Sequence, residues 1–310
     1  MAIKPPVCES RRAVLLMRAP APDLSDWRWP GTAIYLQDAT RSAALARFSV
    51  LDWQVDMVPD RVSSRGNLWL SIRREAETAL AYDPIFGRSL SASILDHPDL
   101  GTAVSHQIGQ RLGKSIGNRH QFERAANEAF AASPDLVDAA SRDLEVIVLK
   151  DPASTGPLPV LLNFKGYVAL QTWRVSNWLW RQNRRDLALL LQSESSDSLQ
   201  VSIHPSASIG TSVFLDHATG IVVGSFVTIG DEVTIQQNVT VGRKAESPNR
   251  APRIGRGVLL STGATILGDV SIGDFAKIGA GAVVTSDVPG GCTAVGVPAR
   301  LTNCPDEVPA

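Results

Sequence analysis

Aliphatic side chains return at every sixth position along two stretches of this chain. The first holds Ile203, Ile209, Leu215, Ile221, Val227, Val233 and Val239, and the second Ile254, Leu260, Ile266, Ile272, Ile278 and Val284. Four residues after most of them stands a small or β-branched residue, among them Ala207, Val213, Thr219, Ser225, Val258, Ala264, Val270, Ala276 and Ala282. A helix repeats its apolar face every 3.6 residues and a strand every 2, so neither produces this spacing. A fixed repeat of this length predicts a parallel β-helix, in which three short strands close a triangular coil and the coils stack. The aliphatic residue of each repeat then fills the prism, and glycines such as Gly220, Gly263 and Gly281 suit the tight corners.

Between Val239 and Ile254 the register is lost, so residues 240–253 are expected to project as a loop. Its residues include Arg243, Lys244, Glu246, Asn249 and Arg250, a solvated set, and loops on a rigid scaffold are where binding residues concentrate.

Upstream the period changes to that of helices. Leu68, Ile72, Ala76 and Leu80 share one face at i, i+4 spacing, and Val104, Ile108, Leu112 and Ile116 share another. Pro84, Pro98, Pro134 and Pro152 punctuate the segments. Residues 135–150 and 161–192 are predicted as two further helices, and the Trp173, Trp178 and Trp180 stripe of the second reads as core or subunit contact. Residues 193–198, rich in Ser and acid, read as a linker, and residues 1–65, without a clear period, as a partly ordered extension. The expected layout is α+β: extension 1–65, α-helical domain 66–198, β-helix 199–290 and tail 291–310.

Composition serves mainly to exclude. A chain of 310 residues with 44% hydrophobic and 20% charged residues is long and apolar enough for two cored domains. A net charge of −1 leaves no footprint for nucleic acid or an anionic membrane, and no apolar run reaches spanning length. Cys8, Cys292 and Cys304 are odd in number and lack metal-ligand spacing, which fits a reducing cytoplasm and no metal.

Candidate chemistry lies in the segment Leu215-Asp216-His217-Ala218-Thr219-Gly220-Ile221-Val222-Val223-Gly224. Taken as bare residues, Asp216 and His217 also suit a polar corner of a coil. Three further segments are distinctive: Phe164-Lys165-Gly166-Tyr167-Val168-Ala169-Leu170-Gln171, Ala276-Lys277-Ile278-Gly279-Ala280-Gly281, and Gly296-Val297-Pro298-Ala299-Arg300. With these motifs and the order of its parts, the chain from about 68 to 301 resembles the serine O-acetyltransferases of the hexapeptide acyltransferase superfamily. The resemblance implies left-handed coils and direct acetyl transfer from acetyl-CoA to a hydroxyl acceptor, without an acyl-enzyme. His217 is then the general base, a task an ordinary imidazole performs near neutral pH, and Asp216 lies beside it at the acceptor site. His97, His106 and His120 lack partners in the sequence, and His204 before Pro205 reads as a cap on the first coil. The coenzyme is expected along the outside of the β-helix, at Thr240, Gly242, Thr262, Gly263, Ala264, Gly279 and Ala280, with Lys277 near its phosphates.

Departures from the family pattern cluster on the acceptor side. Ser202 stands where the family has an aspartate that pairs with the catalytic histidine, and Ala251, after Arg250, where it has a second histidine. Ser133 is read as replacing an aspartate that holds the amino group of serine, and Ser225 a glutamate. Arg250, Ser202 and Ser133 are thus the expected substrate-side positions. Three readings follow: acetylation of serine or a related hydroxyl, acylation of a different hydroxyl or amine metabolite, or a catalytically silent scaffold. The resemblance also implies a homotrimer or a dimer of trimers. Family members dock a C-terminal tail ending in isoleucine into O-acetylserine sulfhydrylase; this tail ends in Ala310, so that complex is not expected.

Overall fold

The computed structural model of the chain describes residues 64–244 and 250–305. The expected extension over 1–65 therefore lies almost wholly outside the described residues, as do the centre of the expected loop and the last five residues of the tail.

Among the described residues eight α-helices come first: α1 (Ser64–Tyr82), α2 (Gly87–Leu90), α3 (Leu100–Leu112), α4 (Ile116–Ala132), α5 (Pro134–Lys150), α6 (Pro157–Asn163), α7 (Lys165–Arg181) and α8 (Arg185–Leu199). Local chemistry sets several starts. Asp99 caps α3 by accepting from Thr102 N at 2.8 Å, Ser115 caps α4 by accepting from Asn118 N, and Pro134 and Pro157 open α5 and α6. Val104, Ile108 and Leu112 are buried on the predicted face, whereas Ile116 is 73% exposed and begins the next helix. The chain turns at Gly113, where a Cβ would come within 2.5 Å of Arg119 N.

The helix expected over 161–192 is three helices in the structure. It breaks at Phe164 and again at Asn183, which takes φ +61°, a conformation Asn tolerates better than most residues. The expected linker 193–198 is instead the last turns of α8. Its polar residues form the outer face of an amphipathic helix whose Leu191, Ser195 and Leu199 are buried, and Ser195 Oγ donates to Val201 O at 3.0 Å. Trp173 is buried and Trp178 and Trp180 half-buried against the core, as the reading of the stripe required.

From Val201 the chain winds into three parallel sheets stacked as the faces of a prism. The first holds β1 (Val201–Ile203), β4 (Ile221–Val223), β7 (Thr240–Gly242), β10 (Thr265–Leu267) and β13 (Val283–Val284). The second holds β2 (Ser208–Ile209), β5 (Thr228–Ile229), β8 (Arg253–Ile254) and β11 (Ser271–Ile272). The third holds β3 (Phe214–Leu215), β6 (Thr234–Ile235), β9 (Leu259–Leu260), β12 (Lys277–Ile278) and β14 (Thr293–Val295), with β15 (Arg300–Thr302) added antiparallel. Every residue of the six-residue series is buried, and pairs such as Leu215 with Ile235 and Ile235 with Leu260 stand in register from coil to coil. Cys292, just before β14, and Cys304, after β15, form a disulfide, a pairing the cysteine count did not suggest.

Helix α7 lies along the first coil. Gly166 packs on Leu215, Arg174 donates to Gly210 O at 2.8 Å, and Asn177 Nδ2 donates to the carbonyls of Pro205 and Ala207. Beneath it, Asp143 of α5 is fully buried. It accepts from Gln171 Nε2, Arg174 Nε and Val213 N, so one carboxylate ties two helices to the strand that leads to the candidate site. Burial pushes the Asp143 carboxyl above its ordinary range, against the pull of Arg174, Gln171 and the Val213 N–H.

Candidate active site

The coil corner after β3 is built unlike its neighbours. In the next three coils the corner between the third and first sheets has one left-handed residue, Asn238, Gly263 or Gly281, followed by the inward Val239, Ala264 or Ala282. After Leu215 the same pattern recurs at Gly220 (φ +76°) and the inward Ile221, but two extra residues precede it, and there His217 (φ +53°) and Ala218 (φ +60°) are left-handed as well, with Ala218 buried. Two non-glycine residues in this region cost on the order of 1–2 kcal/mol each. The result is that His217 is thrown outward, its side chain 76% exposed, with Nε2 3.6 Å from Asp216 Oδ1. Backbone strain at a residue able to do proton chemistry is the kind of outlier that points to function.

His217 and Asp216 open onto a cleft of about 590 Å³ between the C-terminal end of α5, the N-terminus of α7 and the corner. Lys150, Asp151, Lys165, Gly166 and Phe214 line it with them. Lys150 Nζ donates to Glu232 O at 3.0 Å and Thr234 Oγ1 at 3.2 Å; burial lowers its pKa while Glu232 opposes the shift. Lys165 donates to Thr219 Oγ1 and Gln200 Oε1, fixing the helix end against the corner. Gly166 is required at this contact, because a Cβ there would collide with the Leu215 carbonyl oxygen. The first turn of α7 has no side-chain cap, so its free N–H groups and positive dipole end favour an anion.

The expected substrate-side residues do not all reach this cleft. Ser133 is the N-cap residue of α5, and Asp151 follows the other end; seventeen helical residues separate them by roughly 25 Å. Besides Asp216, the acidic residue in the cleft is Asp151, and Ser133 lies outside it. The signal was present in Asp151-Pro152, where the proline was read only as punctuation. Ser202 accepts from Gln192 Nε2 at 3.2 Å and lines a separate depression with Lys114 and Asp197. Arg250 pairs with Asp269 at 3.2 Å, and Ala251 is buried beside it. They lie between β7 and β8, on a different edge of the prism from His217, which precedes β4.

The expected coenzyme positions fall largely on the His217 edge. Thr262 and Gly263, then Gly279 and Ala280, occupy the same corner in later coils. A Cβ at Gly263 would meet nothing nearer than 3.9 Å and one at Gly281 nothing within 4 Å, so the backbone along this edge is open to close approach. Lys277 is exposed on β12, and Thr240 and Gly242 lie on β7. Ala264 is fully buried in the prism and offers only its backbone. This open edge suits an extended co-substrate. Among the described residues no group of three or more His, Cys, Asp or Glu side chains could hold a metal ion.

Comparisons with known proteins bear on the fold and the family. Residues 68–172 match the family described as serine acetyltransferase, N-terminal, and residues 251–286 match the bacterial transferase hexapeptide family. The serine acetyltransferase of Escherichia coli strain K12 is 42% identical over 240 residues, covering 77% of this chain and 88% of that protein. The structure of soybean serine acetyltransferase complexed with serine has 42% identity and a TM-score of 0.75, over 79% of this chain and all of that one. A serine acetyltransferase in complex with CoA has 38% identity and a TM-score of 0.74, over 77% of this chain and all of that one. The prism is accordingly a left-handed β-helix of hexapeptide repeats, and the chain belongs to the serine acetyltransferase family.

Proposed function

We propose that this protein transfers the acetyl group of acetyl-CoA to the hydroxyl of L-serine, with His217 as general base. The observation that carries the reading is the convergence of the outward His217 with Asp216 and Asp151 on one cleft. The imidazole takes the hydroxyl proton as the serine oxygen bonds to the thioester carbonyl carbon. The carbon–sulfur bond then breaks, and the imidazolium returns the proton to the departing thiolate. Asp151 and the Oδ1 of Asp216 suit the serine ammonium, while Lys165 and the uncapped start of α7 suit its carboxylate. Asp151 removes the objection raised by Ser133, since a carboxylate for the amino group is present in the cleft.

The test is thiol release from acetyl-CoA by the purified protein with L-serine, beside His217→Ala. Serine-dependent release that falls by at least about 10²-fold in the variant supports the reading. Release only with another hydroxyl or amine compound moves the acceptor elsewhere, and acetyl-CoA binding without any turnover points to a silent scaffold.

The reading includes a trimer. His217 and Arg250 lie on different edges of one prism, so a site that uses both takes them from neighbouring chains; sedimentation gives the number of copies, three or six. It also includes a cytoplasmic location. No helix among the described residues is long and apolar enough to cross a membrane, and the Cys292–Cys304 bond is the feature that bears against a reducing compartment.

A further inference from the structure

Asp216 is held from below as well as facing the cleft. Gln236 sits at the corner of the next coil, and its Nε2 donates to Asp216 Oδ2 at 3.1 Å. Its Oε1 accepts from Thr262 N at 3.1 Å and from Thr262 Oγ1 at 3.3 Å, one coil further on. The orientation of this carboxamide is determined. A backbone N–H only donates, so Thr262 demands the oxygen; turned round, the amide would set donor against donor there and acceptor against acceptor at Asp216. The coil itself does not require the contact. Ile235 and Val239 already fill the prism at this level, and Gln236 N donates to Leu260 O at 3.0 Å in the sheet ladder.

We propose that Gln236 is a positioning residue for the acceptor. By occupying Oδ2 of Asp216 it leaves Oδ1 turned to His217 and the cleft, and it ties that orientation to the Thr262 corner, along which the coenzyme is expected. The proposal rests on the acetyltransferase reading above. It makes the acceptor carboxylate and the coenzyme edge parts of one hydrogen-bonded ladder across three coils.

Gln236→Glu is the informative change, because the new side chain still accepts from Thr262 but sets a second carboxylate against Asp216. Acceptor kcat/KM is expected to fall about 10- to 100-fold near neutral pH, mainly through KM, with CoA affinity by calorimetry unchanged. The ratio of variant to wild type rises as the pH is lowered from about 8 to about 5.5, because paired carboxylates retain a proton and the introduced carboxyl can then donate to Asp216. Acceptor kinetics like those of the wild type, or a ratio flat with pH, would overturn the proposal. If the wild-type protein turns over no acceptor, the acetyltransferase reading fails, and the contact is still decided by melting temperature. A deficit of the variant that narrows as the pH falls supports it, and a missing or pH-independent deficit refutes it.

Discussion

Removing the Asp143 carboxylate should unfold the protein far more readily than any surface change. In Asp143→Ala the Arg174 guanidinium, whose side chain is 5% exposed, loses a partner 2.7 Å away and stays buried without its counter-charge, while Val213 N and Gln171 lose their acceptor. Breaking one side of a buried pair costs about 3–5 kcal/mol, which for a folded unit of this size lowers Tm by roughly 6–20 °C. Replacing both partners with apolar side chains, Asp143→Leu with Arg174→Met, should recover a large part of that loss, because the expense lies in the orphaned charge. Thermal and urea unfolding followed by circular dichroism, at one protein concentration for all variants, measures both effects. A single variant that loses less than about 1 kcal/mol, or a double variant no better than the single one, would refute the argument.

Gly166→Ala should leave a folded protein with acetyl transfer reduced about tenfold or more, since a methyl there displaces the α7 end from Leu215 and Ala218; serine kinetics with a circular dichroism control check it. Asp151→Asn should raise the KM for serine about 10-fold or more and leave that for acetyl-CoA unchanged, measured by initial rates against each substrate. His204 is half-buried against Trp180, and burial first, then Arg243, lowers its pKa from 6.5. The unfolded chain therefore binds the proton more readily, so stability is full above the unfolded value and declines as the pH falls below it. Melting temperatures from about pH 8 to about pH 5.5 should show this decline, with a shallower slope in His204→Gln.

The prism was legible because a six-residue repeat fits neither a helix nor a flat strand, but its register was not: two extra residues at the His217 corner make Val223, Ile229 and Ile235, which lie outside the sixfold series, the partners of Ile203, Ile209 and Leu215. The helical faces were legible where burial is continuous, as at Val104, Ile108 and Leu112. Their ends were not, since Gly113 and Asn183 act through close approach and backbone conformation, which periodicity does not register. Ser193 to Ser198 misled for a related reason: the outer face of a short helix has the composition of a linker. At the site, Asp216 and His217 stood in a contiguous motif. Asp151 approaches them only through the packing of α5 and α7 on the first coil, sixty-five residues earlier in the chain than Asp216. Gln236 carried no signal in the sequence, because its meaning depends on which residues lie one coil above and one below.

Stacked coils also act as a ruler. His217, Gln236, Thr262 and Gly279 mark the same edge on four successive turns, and strands in a sheet stand about 4.8 Å apart, so the base lies roughly 14 Å from the level of Lys277. That reach is quantised. Substitutions on the faces can change what the edge holds, but they cannot lengthen or shorten it; only the gain or loss of a whole turn would fit the edge to a carrier with a longer or shorter arm.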